Sequence, residues 1–247
     1  MKLNCDLGES FGVWPLGCDE AIMPHIDMAN IACGFHASDP LTMSKTVALA
    51  KSHQVTIGAH PSYPDLVGFG RRSMAIPAEE LTAIILYQIG ALSGFCQAQQ
   101  TSLSYVKPHG ALYNDMMKDL SVFKAVCQAI SQFNQGELPL VIQAIPAPEK
   151  HQAIAASHGI SLLFEAFADR NYNDDGSLVS RQQSNAVIED VELMINRCEH
   201  LLSHNELLSI NNKPLKLQVD TLCVHGDNAS AVQTVAQLRQ RLSALST

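Results

Sequence analysis

"LSYVKPHGALYN", residues 103–114, places a cation, an imidazole and two backbone punctuators directly behind a short apolar run. Residues 103–106 read as a buried strand, and Lys107, Pro108, His109 and Gly110 follow it at once. In α/β proteins chemistry collects at strand exits, because the loops there are held by a rigid sheet and open onto a crevice. Whether this stretch is one such exit among several decides the fold.

Similar runs recur along the chain, at residues 2–6, 28–33, 55–59, 103–106, 139–144, 161–164 and 219–224. Between them lie helical patterns at about residues 39–51, 77–98, 120–133, 147–157, 189–204 and 228–245. Short strand, longer helix, short strand is the signature of parallel strands joined by crossover helices. Asp39-Pro40 offers a capping carboxylate followed by proline at the first helical position, and Glu79 and Glu80 behind Pro77 set negative charge against a helix dipole. No linker, charge block or repeat divides residues 1–247, which read as one domain. Seven such units fit either a closed barrel one strand short of eight or an open doubly wound sheet.

Of 247 residues 47% are apolar and only 16% charged, below the roughly 25% charged of an average soluble domain. Other elements or other chains must then cover much of the surface, which points to a homo-oligomer. A net charge of −8 and the lack of any basic cluster longer than Arg71-Arg72 exclude nucleic acid as a partner. The seven cysteines are odd in number and contain no C-x-x-C, so they suggest reduced thiols and a cytoplasmic setting. The N-terminus reaches Asp6 before any signal-type apolar region forms. The longest apolar stretch, residues 81–96, is about 16 residues with Gln88 inside, short of the roughly 20 that span a bilayer. It reads as a buried helix, and no membrane is expected.

The segments leaving six of the runs carry the chemistry: "NCDLGES" (4–10), "NIACGFHASDP" (30–40), "GAHPSYPDLVGFGRR" (58–72), "VKPHGALYN" (106–114), "EAFADRNY" (165–172) and "CVHGDN" (223–228). Parallel strands would bring all six to one face, where Asp6, Glu9, His36, His60, Lys107, His109, Glu165, Asp169, Arg170, His225 and Asp227 converge. The strand entrances carry no comparable set. Four of the ten histidines lie at exits; His25, His53, His151, His158, His200 and His204 lie in helical or helix-end patterns and are assigned no role. Asp39 reads as a helix cap, and Glu165 either as a base or as a partner for Lys107. Carboxylates, imidazoles and a lysine suit acid–base chemistry on a charged intermediate. An Asp with two His could instead hold Zn²⁺ with one position open. No H-x-x-H or H-E-x-x-H spacing selects between these readings.

Taken together, these segments resemble the LamB/YcsF family, and the resemblance runs from the first strand through "CVHGDN". It implies an irregular (β/α)7 barrel of the glycoside hydrolase/deacetylase type. It also implies an ATP-dependent 5-oxoprolinase activity, which opens the lactam ring of 5-oxo-L-proline to L-glutamate as ATP becomes ADP and phosphate. Partner subunits B and C come with that implication, with ATP as co-substrate of the complex; a divalent metal stays open. The positions carried over are Asp6, Glu9, His36, His60, Lys107, His109, Glu165, Asp169, Arg170 and His225. Asp6 or Glu165, assisted by a histidine, is expected to activate water, and His109 or His36 to protonate the leaving nitrogen. Lys107 is expected to neutralise phosphate or an oxyanion, and Arg170 to clamp the substrate carboxylate. Ser38 stands where the family commonly has glycine, so an altered loop angle is expected there. The rivals are a metal-dependent carbohydrate deacetylase and a non-catalytic protein that binds substrate or serves as a scaffold.

Overall fold

In residues 2–7, Leu3, Cys5 and Leu7 alternate with Asn4 and Asp6. A strand sends alternate side chains to opposite faces, so this segment presents one apolar and one polar face. The structure, a computed structural model, describes all residues except 135–136, 181–182, 189, 225–228 and 246–247. In it the alternation belongs to a closed parallel barrel of β1 (Lys2–Leu7), β2 (Met28–Ala32), β3 (Thr56–His60), β4 (Leu103–Val106), β5 (Leu140–Gln143), β6 (Leu162–Phe167) and a last strand, Thr221–Cys223. A small antiparallel hairpin, β7 (Glu206–Leu208) with β8 (Pro214–Lys216), precedes that last strand, which is therefore β9. Because β9 pairs with both β6 and β1, the sheet has no edge; this selects the barrel over the open sheet.

Around the barrel run α1 (Asp19–Ile22), α2 (Pro40–Ser52), α3 (Ala78–Ala98), α4 (Gly110–Lys118), α5 (Leu120–Asn134), α6 (Glu149–Ser157), α7 (Val191–His204) and α8 (Ala229–Leu245). Leu3, Ile31, Ile57, Val106, Ile142 and Phe164 belong to one continuous apolar core with the helix residues Val47, Ile85, Leu92 and Phe123. A second, small apolar cluster of Met28, Tyr105 and Val141, with Leu163 packed on it, is separate from the first. It plugs the interior of the barrel. Tyr105 fits only because the facing residue on β3 is Gly58, where a Cβ would lie 2.1 Å from the ring. The β3–β4 register slips at the same place, between Ile57 and Gly58. The Tyr105 hydroxyl donates to Asn30 Oδ1 at 2.7 Å, so the apolar plug ends in a polar handle.

The expected runs and helices all appear, within a few residues of their sequence bounds. Elements hidden from the sequence include the short α1, the β7–β8 hairpin, and α4, whose first residue Gly110 reads as a breaker but takes φ +57° and starts a helix. The length argument for the apolar stretch fails, since α3 has 21 residues and alone among the described helices is long and apolar enough to cross a membrane. Its placement answers instead, for α3 packs on α5 and on the barrel. Gln88 at its centre is fully buried and holds both the amide (2.9 Å) and the carbonyl (2.8 Å) of Ser62. All seven cysteines are free.

Asp39 caps α2 as expected. Its side chain accepts from the Leu41 amide at 2.8 Å, the Thr42 hydroxyl at 2.7 Å and the Gly12 amide at 2.9 Å, the last tying down the loop after β1. Hydrogen bonds from Thr42 and Gly12 lower its pKa to about 2. Ser38 has φ 75°, so the serine itself occupies the left-handed region that favours glycine.

Two stability changes follow. Asp39→Ala should cost about 1 kcal/mol at pH 7 in urea unfolding. The folded pKa lies below the unfolded value, so this contribution is present above about pH 4 and fades as pH falls toward 2, where wild type and variant should converge. Ser38→Gly should relieve about 0.5–1 kcal/mol of backbone strain and raise the melting temperature.

Candidate active site

The exits of β1, β3, β4 and β6 open into a cavity of about 860 Å³ whose wall includes Asp6, Glu9, His60, Lys107, His109 and Phe167. At its floor is Lys107, one residue past the end of β4, whose amide still donates to Ala59 at 2.8 Å and so extends the ladder. Its ammonium crosses the barrel interior to Glu165 Oε1 (2.8 Å), Asp6 Oδ1 (3.0 Å), Asn4 Oδ1 (3.1 Å) and Cys223 Sγ (3.2 Å). The side chain is only 3% exposed. Burial works against the ammonium, but the Asp6 and Glu165 carboxylates outweigh it and hold the lysine pKa well above its ordinary value. Lys107 therefore stays charged. Burial pushes the Cys223 thiol and the Tyr105 and Tyr113 hydroxyls well up, so all three remain protonated.

The two carboxylates on Lys107 differ in placement. Glu165 is fully buried, accepts from the Tyr113 hydroxyl at 2.9 Å and does not line the cavity. It pairs with Lys107, one of the two expectations for it. It lies inside β6 rather than after it, because that strand continues to Phe167. Asp6 lines the cavity with its side chain 16% exposed. Its Oδ1 accepts from Lys107 and from Asn30 Nδ2 at 2.7 Å, while Oδ2 lies 3.4 Å from His60 Nε2.

Three histidines stand beside Asp6. His60 Nδ1 lies 2.7 Å from the Lys107 carbonyl, and His60 Nε2 lies 3.0 Å from His109 Nδ1. His109 Nε2 lies 2.9 Å from the Phe69 carbonyl. His36 stacks on His109 with ring centroids 3.7 Å apart and planes 3° from parallel, and its Nε2 is 3.1 Å from Glu9 Oε1. Burial and the neighbouring imidazoles push the pKa values of His36 and His109 well below the ordinary value. His36 does not line the cavity, and its side chain is fully buried. Among the described residues, Glu9, His36, His60 and His109 offer metal-ligating atoms all within 4.8 Å of one another.

Arg170 lines the cavity, but its Nε and Nη2 donate to the carbonyls of Ala186 (3.3 Å) and Val179 (2.7 Å). These bonds brace the loop after β6. Asp169 is absent from the cavity wall; its carbonyl accepts from the Ile188 amide at 2.7 Å. His225 and Asp227 lie outside the described residues. Arg71 also lines the cavity, its guanidinium 4.9 Å from the centroid of the Phe69 ring, and Arg72 pairs with Asp65. His151 lies in α6, buried edge-on against Phe123 with 4.8 Å between centroids. Asn4, Asn30, Tyr113 and Cys223 were missed. The signal for the two asparagines was present: Asn30 interrupts an otherwise apolar strand, and Asn4 alternates with Leu3 and Cys5 on the polar face it shares with Asp6.

The model of the LamB/YcsF family matches residues 1–247. A protein of Vibrio cholerae serotype O1, named as the A subunit of 5-oxoprolinase, is 53% identical over 242 residues, covering 98% of this chain and 97% of the relative. A protein of the same name from Pseudomonas fluorescens is 53% identical over 243 residues, covering 98% and 97%. The crystal structure of a lactam utilization protein from Thermus thermophilus superposes with a TM-score of 0.91 at 38% identity, covering 100% of this chain and 97% of that one.

Removing the cation should expose the strain of two carboxylates in one interior. Lys107→Met is expected to destabilise by about 3–5 kcal/mol in urea unfolding, and adding Glu165→Gln to recover a large part of the loss.

Proposed function

The chain belongs to the LamB/YcsF family, and from that premise we propose that it acts as the A subunit of an ATP-dependent 5-oxoprolinase, opening 5-oxo-L-proline to L-glutamate with partner subunits B and C. The observation that carries this reading is 53% identity across 98% of the chain to proteins bearing that name. The barrel mouth supplies suitable means. A lactam is a resonance-stabilised amide, so its oxygen must be activated before water can open it. Phosphorylation of that oxygen at the expense of ATP leaves an imidate-like carbon. Water adds to this carbon, the ring C–N bond breaks as nitrogen takes a proton, and the acyl phosphate so formed is cleaved by a second water to glutamate and phosphate.

Asp6 suits the base role. It faces the cavity, pairs with Lys107 at 3.0 Å and stands 3.4 Å from His60. The proton that Asp6 takes from water is then available to the leaving nitrogen, so His109, whose Nε2 faces the Phe69 carbonyl at 2.9 Å, need not supply it. Lys107 acts mainly through Asp6, as a positioning residue. ATP use is assigned to the complex. Partner contact is supported by loops on the same rim, where Val13, Trp14 and Val67 are 85%, 68% and 93% exposed.

Glutamate formation from 5-oxoproline and ATP should appear when this chain joins subunits B and C, and Asp6→Asn should lower it more than tenfold. If B plus C perform equally without the chain, the assignment is lost. Trp14→Ser with Val67→Ser should weaken assembly while leaving the melting temperature of the isolated chain in place.

A further inference from the structure

The histidine cluster contains a contradiction that a proton count exposes. His60 Nδ1 and His109 Nε2 each face a backbone carbonyl, at 2.7 Å and 2.9 Å. A carbonyl only accepts, so each of these nitrogens carries its ring's hydrogen. In neutral imidazoles the other two nitrogens, His60 Nε2 and His109 Nδ1, are then bare. They face each other at 3.0 Å. Two lone pairs held at that distance repel unless a proton or a metal ion sits between them.

The surrounding donors suit a metal ion. Bonds of about 2.0–2.1 Å, at angles of roughly 90° to 109°, place neighbouring ligand atoms roughly 2.9–3.4 Å apart. The two ring nitrogens are 3.0 Å apart, and Glu9 Oε1 is 3.7 Å from His109 Nδ1, a gap that a small carboxylate rotation closes. The His60 and His109 rings are perpendicular, at 86°, so their in-plane lone pairs can converge on one point. His36 cannot join them directly: its ring lies 3° from parallel to that of His109, and lone pairs in parallel planes do not meet. Its Nε2 instead lies 3.1 Å from Glu9 Oε1, where an N–H would orient the carboxylate. Glu9, His60 and His109 all line the cavity while His36 does not, the arrangement of ligands in front and support behind.

We infer that this chain binds one divalent transition-metal cation of the Zn²⁺ class at the barrel mouth, held by His60 Nε2, His109 Nδ1 and the Glu9 carboxylate, with His36 as positioning residue. Two imidazoles and one carboxylate leave a coordination position open toward the cavity, as in sites that activate water or polarise a carbonyl. Use of the ion in ring opening rests on the lactam reading above; its binding does not.

The test uses the isolated full chain, stripped with chelator and titrated with ZnCl₂ and CoCl₂, with calorimetry and elemental analysis after dialysis. One ion per chain is expected, with cobalt absorption bands of a four- or five-coordinate site. Glu9→Gln and His109→Gln should weaken Zn²⁺ binding roughly 100-fold, and His36→Gln roughly 10-fold with the stoichiometry unchanged. The helix-surface pair His200 and His204, with ring centroids 4.4 Å apart, is the competing place for a metal, so His200→Ala with His204→Ala serves as control and should leave uptake intact. Absence of saturable uptake by the wild-type chain overturns the inference, as does uptake abolished by the control pair or untouched by Glu9→Gln. In the first case nitrogen NMR of His60 and His109 would show a shared proton in the ion's place. No partner protein or glutamate assay enters, so failure here leaves the lactam reading standing.

Discussion

An ammonium taken out of water survives only where carboxylates and dipoles replace its hydration shell. Lys107 meets this condition inside the barrel, and much of the interior is arranged around it. Asp6 and Glu165 supply charge, Asn4 and Cys223 supply further acceptors, and Tyr113 holds Glu165 from behind. Asn30 then links Asn4, Asp6 and Tyr105, joining the polar layer to the apolar plug beneath it. The chemistry presented at the mouth is thus the outer edge of a network whose centre is electrostatic.

The rim loops are fastened to one another as well as to the strands. The His109 amide donates to Pro61 and the Ala111 amide to Gly70, each at 2.8 Å, sewing the exits of β3 and β4 together. Gln88 pins Ser62 from α3, and the Ser38 amide reaches Ser10 at 3.1 Å. Side chains carried on such a rim lose little further freedom when substrate arrives, which is the main service a scaffold gives to catalysis.

How much of this was legible depends on the range of the interaction. The convergence of Asp6, Glu9, His60, Lys107 and His109 follows from parallel strands alone, since parallel exits share a rim. The direction of Glu165 needed the true end of β6, and an apolar run cut at Phe164 hid it. Tyr113 was concealed behind Gly110, whose positive φ opens a helix where a break was the natural reading. The partners of Arg170 are carbonyls nine and sixteen residues away in an irregular loop, where no periodicity reports on them. The face-to-face stacking of His36 and His109 depends on how two loops approach, which spacing along a chain does not encode.

Gly58 and Tyr105 carry a consequence for descent. A side chain at 58 has no room while the ring at 105 is present. Shrinking the ring first opens a void beneath Asn30 and removes its hydroxyl partner. Single-step substitution is penalised in either order, so the two positions are tied in their history as they are in space, and divergence at one waits on the other.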